Sequence, residues 1–189
     1  MTTNDESIPA HHDPQVGPVL VSETELNTIV RALGQRIAED YAGLDLLIVG
    51  VLRGAFVFMA DLARAIPTSV EVDFMAVSSY GHSTESSGVV RIVKDLDTDI
   101  TGRHVLLVDE IIDSGLTMNY VRRLLSDRGA ASVEVCALLV RDTIDHVNES
   151  SLRYVGRKIP TDWVVGYGLD AAQKWRNLRD VRLWRVAPT

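Results

Sequence analysis

The chain is predicted to fold as an α/β domain around a doubly wound, mainly parallel sheet, and three observations carry that expectation. Short continuous apolar runs at 46–51, 105–108 and 133–140 have the composition of strands covered on both faces. Helical periodicity occupies the intervals before and between them. Gly- and Pro-containing breaks separate the two kinds of segment, and strands alternating with helices imply a parallel sheet. Ligands of such sheets bind beyond the C-terminal strand ends, where the loops after Val51, Val108 and Val140 all lie.

Each element has its own signal. Ser22 and Glu25 make a capping box, and Leu26, Ile29, Val30, Leu33 and Ile37 share one helix face, with Gly43 as the stop. After the strand at 46–51, a glycine-containing turn leads into a helix over 55–65 that Pro67 ends. Val70, Val72, Phe74 and Ala76 alternate with other residues as in a half-buried strand. The small, polar stretch 78–88 reads as a functional loop before strand character resumes at 89–93. Thr117 opens a helix with Val121, Leu124 and Leu125 on its inner face, closing near Arg128 and Gly129. Beyond the run at 133–140 come strand-like pieces at 152–155, 163–167 and 181–186. Residues 1–18, with three prolines and no periodicity, read as a flexible tail, leaving 19–189 as a single domain.

Composition narrows the function. With 189 residues, 46% hydrophobic and 24% charged, the chain suits one soluble domain. A net charge of −7 argues against a nucleic-acid surface but leaves room for a local anion cradle. No apolar run approaches a membrane span of roughly 20 residues, and the N-terminus lacks a signal-peptide pattern, so a cytoplasmic protein without membrane contact is expected. The one cysteine, Cys136, lies in an apolar strand and reads as a buried small hydrophobe. His11 and His12, alone in the tail, do not make a metal site.

The chemistry concentrates after Val108, in Asp109-Glu110-Ile111-Ile112-Asp113-Ser114-Gly115-Leu116-Thr117. Successive backbone N–H groups, two hydroxyls and a glycine able to take φ > 0 form an anion nest at a helix N-terminus. Carboxylates beside a phosphate cradle suit a sugar phosphate, because they accept hydrogen bonds from hydroxyls or bind Mg²⁺. Neither the G-x-x-x-x-G-K-[ST] nor the G-x-G-x-x-G spacing is present.

This run, together with the segments 73–81, 87–92 and 164–170, resembles the type I phosphoribosyltransferases, and among them the bacterial hypoxanthine-guanine enzymes, from about residue 20 to residue 180. The resemblance implies the fold of that family with a small hood, in the C-terminal part, that binds the base. It implies transfer of the 5-phosphoribosyl group of PRPP to a purine, with Mg²⁺, usually in a homodimer or homotetramer. Residue by residue, it implies that Asp113, Ser114, Gly115, Leu116 and Thr117 bind the 5′-phosphate, and Asp109 and Glu110 the ribose hydroxyls. Asp113 is then also the general base. Leu52, Arg53 and Gly54, with Arg176, meet pyrophosphate, and Ser79 and Tyr80 begin a closing lid. Ile111, Arg141, Trp163 and Val164 form the base site. Asp170, with Asp109 and Glu110, serves the metal.

The chain departs from the family pattern in several places. Asp109-Glu110 reverses the usual Glu-Asp order, and Arg53 replaces a lysine. Arg141, followed by Asp142, stands where a lysine reads the purine O6, and Trp163 replaces a phenylalanine or tyrosine. Ala171-Ala172-Gln173 lacks the usual aromatic. These changes cluster where the base is chosen, so a modified base such as a 7-deazapurine is an alternative acceptor, and a PRPP- or nucleotide-sensing regulator a second alternative.

Overall fold

In the computed structural model, which describes residues 13–79, 90–144 and 152–185, the chain forms a six-stranded and a three-stranded sheet. The elements run β1 (Val16–Val21), α1 (Glu23–Asp40), β2 (Leu46–Leu52), α2 (Phe56–Ala65), β3 (Glu71–Ser79) and β4 (Val90–Lys94). They continue with β5 (His104–Ile112), α3 (Leu116–Asp127), β6 (Ser132–Arg141), β7 (Tyr154–Ile159), β8 (Val164–Val165) and β9 (Val181–Trp184). The larger sheet has the order β4-β3-β2-β5-β6-β7, parallel except for the edge strand β4. The smaller sheet, β1-β9-β8, is antiparallel and forms a hood.

Alternation along the strands explains the layers. In β2 and β5, Ile48, Leu106 and Val108 face one side and pack with Leu26, Val30, Leu33 and Ile37 of α1 and Phe58, Met59 and Leu62 of α2. Leu47, Val49, Val105 and Leu107 face the other side and pack with Met118, Val121 and Leu125 of α3. Two helices thus cover one face and one the other, the doubly wound arrangement that apolar strands require. Hood residues Val164, Tyr167, Leu169 and Val181 join the first core, which fixes the hood against the main sheet. The capping box forms as expected: Glu25 N–H donates to Ser22 Oγ at 3.3 Å and Ser22 N–H to Glu25 Oε2 at 2.9 Å. Cys136 is fully buried, and burial pushes its thiol far up from its ordinary pKa.

Four expectations change. The stretch read as a tail ends earlier, because Val16 already pairs with Trp184 in β1. The hood therefore takes a strand from each end of the chain rather than only from the C-terminal part. His11 and His12 lie outside the described residues. The strand β3 is partly covered on both faces, Phe74 and the preceding Val70 against the first core and Met75 and Val77 against the second, but Val72 is 41% exposed and Asp73 is buried. Lastly, β5 does not stop at Val108 but stays extended through Ile112, held by β6 on one side, with Ile111 opposite Leu139 and Ile112 opposite Val140.

Backbone donors keep Asp73 inside. Its Oδ2 accepts the backbone N–H groups of Asp97 at 2.9 Å and Thr98 at 3.0 Å, and its Oδ1 that of Phe74 at 2.6 Å. The buried carboxylate thereby fastens the turn after β4. Burial pushes this carboxyl up, but the N–H groups of Phe74, Thr98 and Asp97 outweigh it and leave the group below its ordinary value. Asp73→Ala should lower the unfolding free energy by about 1–3 kcal/mol at pH 7, since buried N–H groups lose their acceptor. A depressed folded pKa means that the ionised group's contribution is complete above the ordinary aspartate value of about 4 and fades as pH falls through the folded value. Urea midpoints of the two proteins should therefore converge on acidification; a gap that persists at low pH would contradict this.

Candidate active site

Three segments meet at the C-terminal edge of the parallel strands. β2 ends at Leu52 and turns through Arg53 and Gly54; β5 carries Asp109 and Glu110 and then Asp113; β6 ends at Arg141. The hood turn 166–176 closes over the first of these.

The cradle after β5 is built by backbone. Gly115 caps α3 with φ 77° and ψ −6°, a left-handed conformation that favours glycine. The N–H groups that open α3 point out from its start, and a carboxylate-free first turn leaves their partial positive charge uncancelled. Ser114 is exposed beside them, and its Oγ accepts a long contact from Leu116 N–H at 3.5 Å.

Asp109 and Glu110 are half-buried. Burial pushes the Asp109 carboxyl well above the ordinary carboxylate range, and the charge of Glu110 adds to the effect. Burial also raises Glu110, against the pull of Arg176. Glu110 Oε2 is buried with no hydrogen-bond partner among the described residues. Gly54 is what lets this carboxylate fit, because a Cβ at Gly54 would run into it. The carbonyl of Gly54 in turn rests against Gly168, where a Cβ would strike that oxygen. The turn after β2 is thus wedged between a buried carboxylate and the hood.

A cluster of charges faces the same turn. Arg176 pairs with Asp170 at 2.6 Å and donates to the Gly168 carbonyl at 2.7 Å. Arg53 Nη1 donates to Gln173 Oε1 at 2.9 Å, and Arg176 Nη2 to the same oxygen at 3.2 Å. So Arg53, Arg176 and Asp170, singled out in the sequence, do come together, with Gln173 as an unforeseen member.

On the other side of Asp113 lies a cavity of about 470 Å³ lined by Asp113, Ser114, Arg141, Thr143, Ile144, Thr161 and Trp163. Trp163 is 65% exposed, its ring free to offer a face. Arg141, by contrast, is fixed. Its Nε donates to Asp113 Oδ1 at 2.8 Å, and its Nη1 to the carbonyls of Pro160 at 2.6 Å and Asp162 at 2.5 Å. Asp113 itself is largely exposed, 73% against 11% for Arg141. Ile111, half-buried against the α1–α2 core, and Val164, buried in β8, do not line this cavity. Thr143, Ile144 and Thr161 were missed. Thr143 and Ile144 follow the C-terminal end of β6, the edge where ligands of such sheets bind, and that position was the available signal. Ser79 is the last residue of β3, while Tyr80 and the rest of the lid lie outside the described residues.

The family described as phosphoribosyl transferase domain matches residues 22–172. The chain is 49% identical over 166 residues to a hypoxanthine-guanine phosphoribosyltransferase of Mycobacterium tuberculosis (strain ATCC 25618 / H37Rv), covering 85% of this chain and 82% of the relative. It is 46% identical over 167 residues to the enzyme of that name from Bacillus subtilis (strain 168), covering 88% and 91%. The crystal structure of a hypoxanthine phosphoribosyltransferase from Staphylococcus aureus superposes with a TM-score of 0.87 at 36% identity, over 95% of this chain and 97% of that one.

The wedge at Gly54 gives a direct test. Gly54→Ala should displace the Glu110 carboxylate or push the turn away from Gly168, destabilising the fold by about 1–3 kcal/mol, the usual cost of overpacking. Thermal unfolding of the variant beside wild type measures it, and an unchanged midpoint would show that the turn has room the contact denies.

Proposed function

The chain belongs to the phosphoribosyltransferase family, and from that premise we propose that it transfers the 5-phosphoribosyl group of PRPP to hypoxanthine or guanine, giving the nucleotide and pyrophosphate. One observation carries the reading: a backbone cradle, two half-buried carboxylates and a cavity flanked by Trp163 and Arg141 adjoin at a single sheet edge.

In this reading Asp113, Ser114, Gly115, Leu116 and Thr117 hold the 5′-phosphate through the N–H groups at the start of α3. Asp109 and Glu110 accept hydrogen bonds from the ribose hydroxyls, which relieves their buried state. Leu52, Arg53 and Gly54, with Arg176, receive pyrophosphate. The base enters the cavity and stacks on Trp163, beside Thr143, Ile144 and Thr161. Arg141 donates to the carbonyl oxygen of the base. N9 attacks C1 of the ribose as the C1–O bond breaks, its electrons leave with pyrophosphate, and Asp113 takes the proton from N7. Positive charge developing on the ribose ring is stabilised by the nearby carboxylates.

Among the described residues no three metal-ligating side chains cluster, so a metal held by protein alone is not supported. Mg²⁺ commonly rests on one or two carboxylates plus substrate phosphates, and the partnerless Glu110 Oε2 beside Asp109 fits that mode. Asp109 and Glu110 would hold it together with substrate phosphates, and Asp170, paired with Arg176, would hold its water. When bound, Mg²⁺ neutralises charge on the leaving pyrophosphate. A 7-deazapurine acceptor and a PRPP-sensing regulator have no observation of their own in their favour.

A PRPP-dependent assay against hypoxanthine, guanine, xanthine, adenine and 7-deazapurines tests the reading; turnover is expected with the first two, and none with any base would overturn it. Asp113→Asn should reduce kcat by roughly 10²–10⁴-fold while PRPP still binds, and an unchanged kcat would remove Asp113 from the proton transfer. Arg141→Lys should shift the base preference, measured as the ratio of kcat/KM values. A flat profile would show that position 141 does not read the base.

A further inference from the structure

We propose that Gln173 is a positioning residue that holds Arg53 and Arg176 together for the departing pyrophosphate, an inference that rests on the phosphoribosyl-transfer reading. Its Oε1 is the point where the two guanidinium groups meet, at 2.9 Å from Arg53 Nη1 and 3.2 Å from Arg176 Nη2. The arginines come from distant parts of the chain, one from the turn after β2 and the other from the hood. Without a shared acceptor, two like charges would be driven apart.

The backbone is arranged to deliver this side chain. Gln173 has φ 67°, in the left-handed region, and so do its neighbours Ala172 at 50° and Trp175 at 74°. Such conformations are disfavoured for residues with a Cβ and persist where the surroundings fix them. Here the fixing bonds are visible. Gln173 N–H donates to Asp170 Oδ2 at 2.8 Å, and Ala171 and Lys174 exchange backbone hydrogen bonds at 3.0 and 3.2 Å. Asp170 Oδ1 meanwhile pairs with Arg176. One short turn therefore aims both Gln173 and Asp170 at the cationic groups.

An amide suits the task better than a carboxylate. Its oxygen accepts from both cations yet carries no net charge, so the positive charge remains available to an incoming diphosphate. Each guanidinium has five donors; Arg53 spends one on Gln173, and Arg176, which also serves Asp170 and the Gly168 carbonyl, keeps its remaining donors for phosphate oxygens. Long arginine side chains lose much rotamer freedom on binding, and a prior anchor removes part of that cost.

Titration calorimetry with inorganic pyrophosphate and Mg²⁺, paired with steady-state kinetics, tests this. Gln173→Ala should weaken pyrophosphate by about three- to tenfold, the loss of one or two ordinary hydrogen bonds, and raise the KM for PRPP while leaving the KM for the base unchanged. Gln173→Glu should weaken it further, and increasingly at low salt, because a carboxylate cancels guanidinium charge. In an Arg53→Ala background the effect of Gln173→Ala should shrink, since the shared contact is already broken. If Gln173→Ala unfolds, Gln173→Asn keeps the amide and shortens its reach, and the same split between PRPP and base is expected. Variants that bind pyrophosphate like wild type, raise both KM values alike, or act independently of Arg53 would overturn the clamp. Wild-type protein that binds pyrophosphate but turns over no base would instead overturn the transfer reading alone.

Discussion

Two adjoining, half-buried carboxylates on the central strand, Asp109 and Glu110, are the constraint that the surrounding structure accommodates. Desolvation opposes their ionised forms, and the charge of Glu110 raises Asp109 further. For packing alone, apolar residues at those positions would serve better. The fold instead narrows the neighbouring turn to glycine at Gly54, presses that turn onto Gly168, and brings Arg176 within electrostatic reach of Glu110. Much of what closes the hood over the sheet edge follows from holding this pair.

The same strand then changes character within a few residues. Asp109 is half-buried, whereas Asp113 is exposed and is met by the Arg141 guanidinium. Extended geometry through Ile112 makes the transition possible, because β6 supports β5 until Ile112 and Val140 and then both strands end together. In the proposed reaction that difference separates carboxylates that meet the sugar from the one that takes a proton, the division by environment that acid–base sites commonly use.

Legibility in the sequence followed the range of the interactions. The capping box at Ser22 and Glu25, the apolar face of α1 and the glycine at the head of α3 are set within a turn of chain, and all were readable. The cluster of Asp113, Ser114, Arg141 and Trp163 around one cavity was reached through a family likeness rather than through periodicity. β1 was hidden because Gly17 and Pro18 interrupt its apolar alternation, and its pairing partner β9 lies at the opposite end of the chain. The burial of Asp73 on β3 was not foreseen, because the N–H groups of Asp97 and Thr98 that help make it acceptable inside lie far along the chain. Gln173 had no local signal at all, since its meaning depends on two arginines brought together by the fold.

Donor and acceptor sites rest on different kinds of structure. The phosphate cradle uses backbone N–H groups whose directions are fixed by the start of α3, so most side-chain changes nearby leave it intact. The cavity beside Asp113 is formed by side chains of two connecting segments, Thr143 and Ile144 after β6, and Thr161 and Trp163 before β8. Such a wall can change composition without disturbing the cradle. Arg141 is the exception, because its bonds to Asp113, Pro160 and Asp162 join the wall to the carboxylate. In the proposed reaction a substitution at Arg141 therefore alters base recognition and the setting of Asp113 together, whereas a change at Thr143 or Thr161 bears on the shape of the cavity alone.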